Sequence, residues 1–146
     1  MATSSVLKNE VIEMSNLETI KDIYAAYGRG DLPFILSKLA DDVSWEAELP
    51  AILAFGGIRK GIEGTKGFFA ALMEEYSDPK LDMNEFAASG DAVAAFGRYQ
   101  ATDKATGVRV DSPVAHLFKF RDGKIVRYVN VVNSAAFVEA RQQVQR

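Results

Sequence analysis

Apolar residues recur with a helical period in the first half of the chain and with a strand period in the second. Leu17, Ile20, Ile23, Tyr24 and Tyr27 fall on one helical face, with Ser15 and Glu18 spaced as a capping box and Gly28 and Gly30 at the end. Asp31 is placed to cap a second helix that has Pro33 in its first turn and Leu32, Ile35, Leu36 and Leu39 at i, i+3, i+4 and i+7. Residues 43–48 (VSWEAE) read as a strand, and 50–60 as an apolar, glycine-bearing loop. A third helix is predicted from about 62 to 76, with Phe68, Phe69, Leu72, Met73 and Tyr76 as its stripe. Beyond Pro79 the period falls to two. Strands are predicted over 80–88, 92–102, 108–120 and 124–133, with turn signals at Ser89-Gly90-Asp91, at 103–107 and at Arg121-Asp122-Gly123-Lys124. Ser134 opens a final short helix carrying Phe137 and Val144, and Asn133 is placed to cap it. Helices segregated from a run of antiparallel strands define an α+β fold.

Composition narrows the chemistry. A chain of 146 residues fits one domain, and at that length folding buries roughly 68–70% of the unfolded surface. With no cysteine, disulfides and thiol catalysis are excluded, and with a single histidine, His116, a transition-metal site would rest on carboxylates. No metal and no cofactor are expected. The net charge of -3 and the lack of a basic stripe argue against nucleic acid and anionic membrane. No apolar run is long enough to cross a bilayer, and residues 1–14 lack a secretory h-region, so a cytoplasmic protein is expected. Those residues read as an N-terminal extension, either preceding a natural start at Met14 or forming a short lead-in helix, ahead of one domain over 15–146.

Three segments carry a family resemblance: YAAYGRGDLPFILSKLADDVSWE (24–46), GIRKGIEGTKGFFAAL (57–72) and HLFKFRDGKIVRYVNVVN (116–133). They resemble the SnoaL-like and ketosteroid isomerase-like families of the nuclear transport factor 2 (NTF2-like) fold, over roughly residues 16–138. The resemblance implies a cone: a curved, mostly antiparallel sheet wrapped around the three N-terminal-half helices, a short C-terminal helix, and a pocket opening at one end. It also implies acid–base chemistry on an apolar pocket wall, and a homodimer formed through the outer face of the sheet. Carried over residue by residue, the isomerase base falls on Ala47, its oxyanion tyrosine on Ile23 beside Tyr24, and its protonated aspartate on His116. The epoxide hydrolase Arg-x-Asp falls on Arg98-Tyr99-Gln100 and the last-strand aspartate on Asn130. Amides orient water but cannot deprotonate it, so both of those reactions are disfavoured.

Each candidate has a structural reading beside its functional one. His116 sits in VAHLFKF, either as an acid–base group with a pKa suited to neutral pH or as a core histidine with one satisfied hydrogen bond. A two-residue Asp122-Gly123 loop would pair it with Val129. A three-residue loop would pair it with Tyr128 and put Asn130 on its face, the arrangement that the resemblance favours. Arg98 alternates with Phe96 and Gln100, while Val93, Ala95, Gly97 and Tyr99 form a face that reads as core. Arg98 then points to solvent or a partner, or inward to a ligand oxygen. Trp45 and Tyr128 are wall-formers or ordinary core. Phe55, in the apolar loop, lids the pocket or makes a dimer contact. Glu46 and Glu48 alternate away from the pocket unless a bulge near Leu49-Pro50 turns Glu48 inward. Asp41-Asp42 reads as a solvated turn, and Arg109 with Asp111 as a surface pair.

These residues together predict a cofactor-independent enzyme of SnoaL-like type, acting on a hydrophobic, carbonyl- or oxygen-bearing molecule by isomerisation, cyclisation, hydration, dehydration or hydrolysis. His116 would be the acid–base residue. Arg98, Gln100 and Asn130 would hold an oxygen or a water, and Trp45, Tyr24, Tyr128, Phe96 and Phe55 would contact the substrate. The alternatives are a non-catalytic binder of a small hydrophobic ligand and a dimeric scaffold whose cone is filled by its own side chains.

Overall fold

A computed structural model describes residues 4–143. Helix α1 (Ser4–Gly28) turns a buried stripe of Asn16, Ile20, Ile23 and Ala26 to the core. Ser15 lies inside this helix and not at its start, so the expected capping box does not form and α1 runs without a break across the 14/15 position. The helix closes where predicted. Gly30 takes a left-handed φ of 73°, which lets the Asp31 amide reach back to the Ala26 carbonyl at 2.8 Å. The Asp31 carboxylate then accepts from the Phe34 amide at 3.2 Å and caps α2 (Leu32–Ser37), with a proline in its first turn.

Strand β1 (Leu39–Ala47) starts earlier than the pattern predicted and takes Leu39 from the helix. Asp41 and Asp42 lie within β1 and not in a turn. They stay exposed because β2 (Gly57–Lys60) pairs only with residues 44–47, leaving that stretch of β1 uncovered on one side. Helix α3 (Gly61–Glu75) buries Thr65, Phe68 and Phe69. The strands β3 (Tyr76–Ser89), β4 (Ala92–Asp103), β5 (Arg109–Arg121) and β6 (Lys124–Val132) follow, and α4 (Ser134–Gln142) ends the described chain. Val144, assigned to that last helix by the pattern, is outside the described residues. Asn133 occupies the N-cap position of α4 without a side-chain cap bond; its backbone amide instead donates to Ser112 Oγ at 2.9 Å.

The six strands form one open sheet in the order β2-β1-β6-β5-β4-β3. All neighbours are antiparallel except β1 and β6, which run parallel. Irregularities in the β3–β4 ladder, after Ser77 and again after Met83, bend the strand as bulges do. Gly97 sits against the second: a Cβ there would collide with the Asp82 carbonyl, so only glycine allows the approach. One face of the sheet packs on α1, α3 and α4 through a core that includes Val43, Trp45, Val93, Phe118 and Ile125. The other face carries the ion pairs Arg98–Asp111 and Arg127–Glu46. This is the α+β arrangement the pattern predicts, a mostly antiparallel sheet with helices on one face, as the resemblance implies.

Candidate functional site

The hairpin β5–β6 sets the site's register. Asp122 (φ 52°) and Gly123 (φ 77°) form a two-residue left-handed turn that pairs Arg121 with Lys124 and Phe120 with Ile125. The ladder then shifts: Lys119 pairs with Arg127, leaving Val126 as an extra residue in β6. His116 consequently faces Asn130, and Phe118 faces Tyr128. Neither expected pairing of His116, with Val129 or with Tyr128, is found. The bulge changes the phase of β6 so that Ile125 and Tyr128 both turn inward, which keeps Asn130 on the His116 face.

Across from this floor, α1 delivers Tyr24, whose hydroxyl lies 2.7 Å from His116 Nδ1. The rings stack at 5.8 Å, and His116 is 7% exposed. β1 contributes Trp45, stacked on Tyr128 with ring centroids 3.8 Å apart, as the parallel pairing of those two residues requires. α3 adds Phe68 and Phe69 against the indole, and α4 and the 50s segment close the end with Phe137 and Phe55. Together they enclose a cavity of about 70 Å³, lined also by Ile23, Tyr27, Tyr99 and Val114.

No Asp or Glu lines this chamber. Burial pushes His116 down to about 3, against a smaller upward pull from Asn130, so the imidazole is neutral across the physiological range. Burial likewise raises Tyr24, Tyr27, Tyr99 and Tyr128, keeping four phenols protonated. The chamber is therefore uncharged at neutral pH. Three buried polar atoms on its wall make no hydrogen bond of ordinary geometry: Trp45 Nε1, Tyr99 Oη and Asn130 Oδ1. Such groups cost about 1–3 kcal/mol each when left unpaired. The Tyr24–His116 bond has two forms. If Tyr24 donates, Nε2 carries the imidazole proton and is a donor; if Nδ1–H donates, Nε2 is an acceptor.

The structure brings Tyr24, Trp45, Phe55, His116, Tyr128 and Asn130 to this chamber. It does not bring Arg98, Gln100 or Phe96, because the inward face of β4 is the one carrying Val93, Ala95 and Tyr99. Arg98 Nε donates to Asp111 at 2.9 Å on the outer face, and Phe96 is 47% exposed there. Asp111 thus pairs with Arg98 and not with Arg109, which donates to the Asp78 carbonyl and Thr102. Glu48 is exposed. Tyr99 was the residue that sequence reasoning set aside as core; its alternation with Val93 and Ala95 carried the signal, since core and chamber share one face. Among the described residues no group of three His, Cys, Asp or Glu could hold a metal ion, and no helix is long and apolar enough to cross a membrane.

The profile of the SnoaL-like domain family matches residues 20–128. No curated protein sequence matches the chain. Among solved structures, TerC co-crystallised with polyporic acid is 29% identical, covering 88% of this chain and 99% of its own, with a TM-score of 0.80. An NTF2-like protein from Burkholderia thailandensis E264 is 25% identical, with 88% and 98% covered and a TM-score of 0.81. Another, from Burkholderia pseudomallei K96243, is 24% identical with the same coverage and TM-score.

Proposed function

The chain belongs to the SnoaL-like domain family, and from the chamber at the centre of its fold we propose that it binds a small, mostly apolar, oxygen-bearing molecule. The observation that carries this reading is the set of unpartnered buried polar atoms in an otherwise apolar wall. An aromatic cleft with a few convergent polar groups is the usual form of a small-molecule site. TerC, a structural neighbour, was crystallised with a small organic acid, in line with this reading. Native mass spectrometry of the freshly purified protein tests it. A mass released on denaturation is expected. A bare chain that also shows no quenching of Trp45 by any aromatic ketone would overturn it.

The Tyr24–His116 pair favours a second step, in which the bound molecule is also transformed. A neutral imidazole held at about 3 is a weak base. A forming enolate offsets that weakness: with Nδ1–H donating to the Tyr24 oxygen, Nε2 takes the proton from the carbon beside a carbonyl, the Tyr24 hydroxyl donates to the oxygen that becomes the enolate, and return of the proton to another carbon completes an isomerisation. Isomerisation or cyclisation of a carbonyl compound fits this arrangement. Hydrolysis fits less well, because no carboxylate lines the chamber to activate water. Turnover of the retained compound by wild type and at least a hundredfold slower turnover by His116→Ala is expected; equal rates would remove His116 from the chemistry.

The outer face of the sheet supports a homodimer. Phe96, Ala115 and Val131 pair in one row across three strands, with Phe96 47% and Val131 57% exposed. Sedimentation of Phe96→Glu against wild type tests this, with dissociation expected.

A further inference from the structure

The chamber around His116 is not the larger cavity. An outer cleft of about 390 Å³ lies between the α1–α2 turn, the end of α3 and the start of β3. Gly30, Leu32, Met73 and Pro79 are on its rim. Tyr27, Ile35, Phe69, Leu72, Leu81 and Tyr99 line both spaces, so one wall serves the two.

Tyr99 is the polar residue of that shared wall with an unmet need. It is 7% exposed, and its hydroxyl makes no hydrogen bond of ordinary geometry. The Tyr27 hydroxyl comes close enough for the two phenols to perturb each other's ionisation as weakly bonded hydroxyls do, but the contact falls short of ordinary hydrogen-bond geometry. The Tyr99 ring is fixed by stacking on Phe137 at 6.1 Å and 14°. A rigid ring whose hydroxyl is not fully engaged at the junction is preorganised to meet an oxygen there. The β4–β5 ladder fixes the spacing. His116 pairs with Ala95, four residues from Tyr99 on the same strand, so the two polar positions stand about 13 Å apart at the backbone.

We propose that Tyr99 is a specificity-determining residue for an elongated ligand that spans both cavities, with one oxygen at Tyr24–His116 and a second, a hydroxyl or carbonyl, at the Tyr99 hydroxyl. This rests on the small-molecule reading above and adds the shape and polarity of the guest. The ligand class is a flat or extended, largely hydrocarbon molecule with an oxygen function towards each end. A compact molecule with one oxygen would fill the chamber and leave Tyr99 unmet.

The test uses the chain's single tryptophan, Trp45, whose fluorescence reports on the chamber wall. Chalcone, a diaryl enone, and its two ring-hydroxylated derivatives (4-hydroxy and 4′-hydroxy) are titrated against wild type and Tyr99→Phe. One hydroxychalcone is expected to bind wild type about tenfold more tightly than chalcone, and that advantage is expected to vanish in Tyr99→Phe. The variant's unliganded thermal midpoint should be unchanged or raised, because it loses only an unpaired buried hydroxyl. A purely structural tyrosine would lower the midpoint and weaken all three ligands alike, which overturns the proposal. If wild type binds all three equally, the Tyr99 assignment fails and the chamber reading stands. If wild type binds none, and aromatic ketones at large fail with them, the chamber reading falls and takes this proposal with it.

Discussion

Two buried polar groups sit at different places in this molecule and are built on opposite principles. Around Arg141, near the end of α4, every strong group is met. Its guanidinium bonds Asp103 at 2.7 Å, Glu75 at 2.7 Å and the Ile52 carbonyl at 3.1 Å. The second oxygens of the two carboxylates accept the Ala105 and Ala54 amides at 2.8 and 3.0 Å. Along the chamber wall one side-chain hydrogen bond of ordinary geometry is made, between Tyr24 and His116, and three polar atoms are left over. The first group ties α4, α3, β4 and the 50s segment into one piece. The second leaves polar capacity that the fold does not use. A completed network marks structure, and an incomplete one on a cavity wall leaves room for a partner from outside the chain.

The sharpest way to break that contrast is to unpair the completed network. Arg141→Met leaves Asp103, which is 0% exposed, without its counter-ion. A loss of about 3–5 kcal/mol in urea unfolding is expected, with much of it recovered in the double variant Arg141→Met/Asp103→Leu. Next in size is a pH effect. His116 has a folded pKa of about 3 against an ordinary value of 6.5. Below pH 6.5 the unfolded chain takes up a proton that the folded chain refuses, so the contribution is complete above 6.5. It is lost at about 1.4 kcal/mol per pH unit as the pH falls towards 3. Unfolding curves of His116→Gln between pH 7 and 5 should be flatter than wild type by that slope; parallel curves would mean His116 is not held neutral by burial. Tyr24→Phe should cost about 1 kcal/mol by removing the single bond to Nδ1, and weaken ketone binding to Trp45-monitored saturation about tenfold. The smallest effect belongs to the outer face. Arg98→Gln should change stability by less than about 0.5 kcal/mol and ligand affinity not at all, because its partner Asp111 is solvated.

The fold was legible because most of its instructions are local. Asp31 before a proline-bearing turn, Gly30 after an apolar stripe and Asp122-Gly123 between alternating runs each act over a few residues, and each does in the structure what its type predicts. The site was half legible. His116, Tyr24, Trp45, Tyr128, Phe55 and Asn130 meet in one chamber, but the bulge at Val126 that sets their phase has no compositional signature: its neighbours are as strand-like as itself. The family resemblance pulls Arg98 and Gln100 inward, and Phe96 with them as their face-mate, against an alternation in which Val93, Ala95 and Tyr99 already define the apolar face. The apolar pattern is the better guide there, since a charged guanidinium has no place on an apolar wall without a partner.

The parallel contact between β1 and β6 has a consequence for biosynthesis. Trp45 finds its stacking partner Tyr128 only through that pairing, and the two lie in the first and last thirds of the chain. A nascent chain that has not yet released β6 has the helices and β1 in hand but no opposite wall for the indole. The aromatic chamber is therefore among the last features to close during synthesis, a slow long-range event.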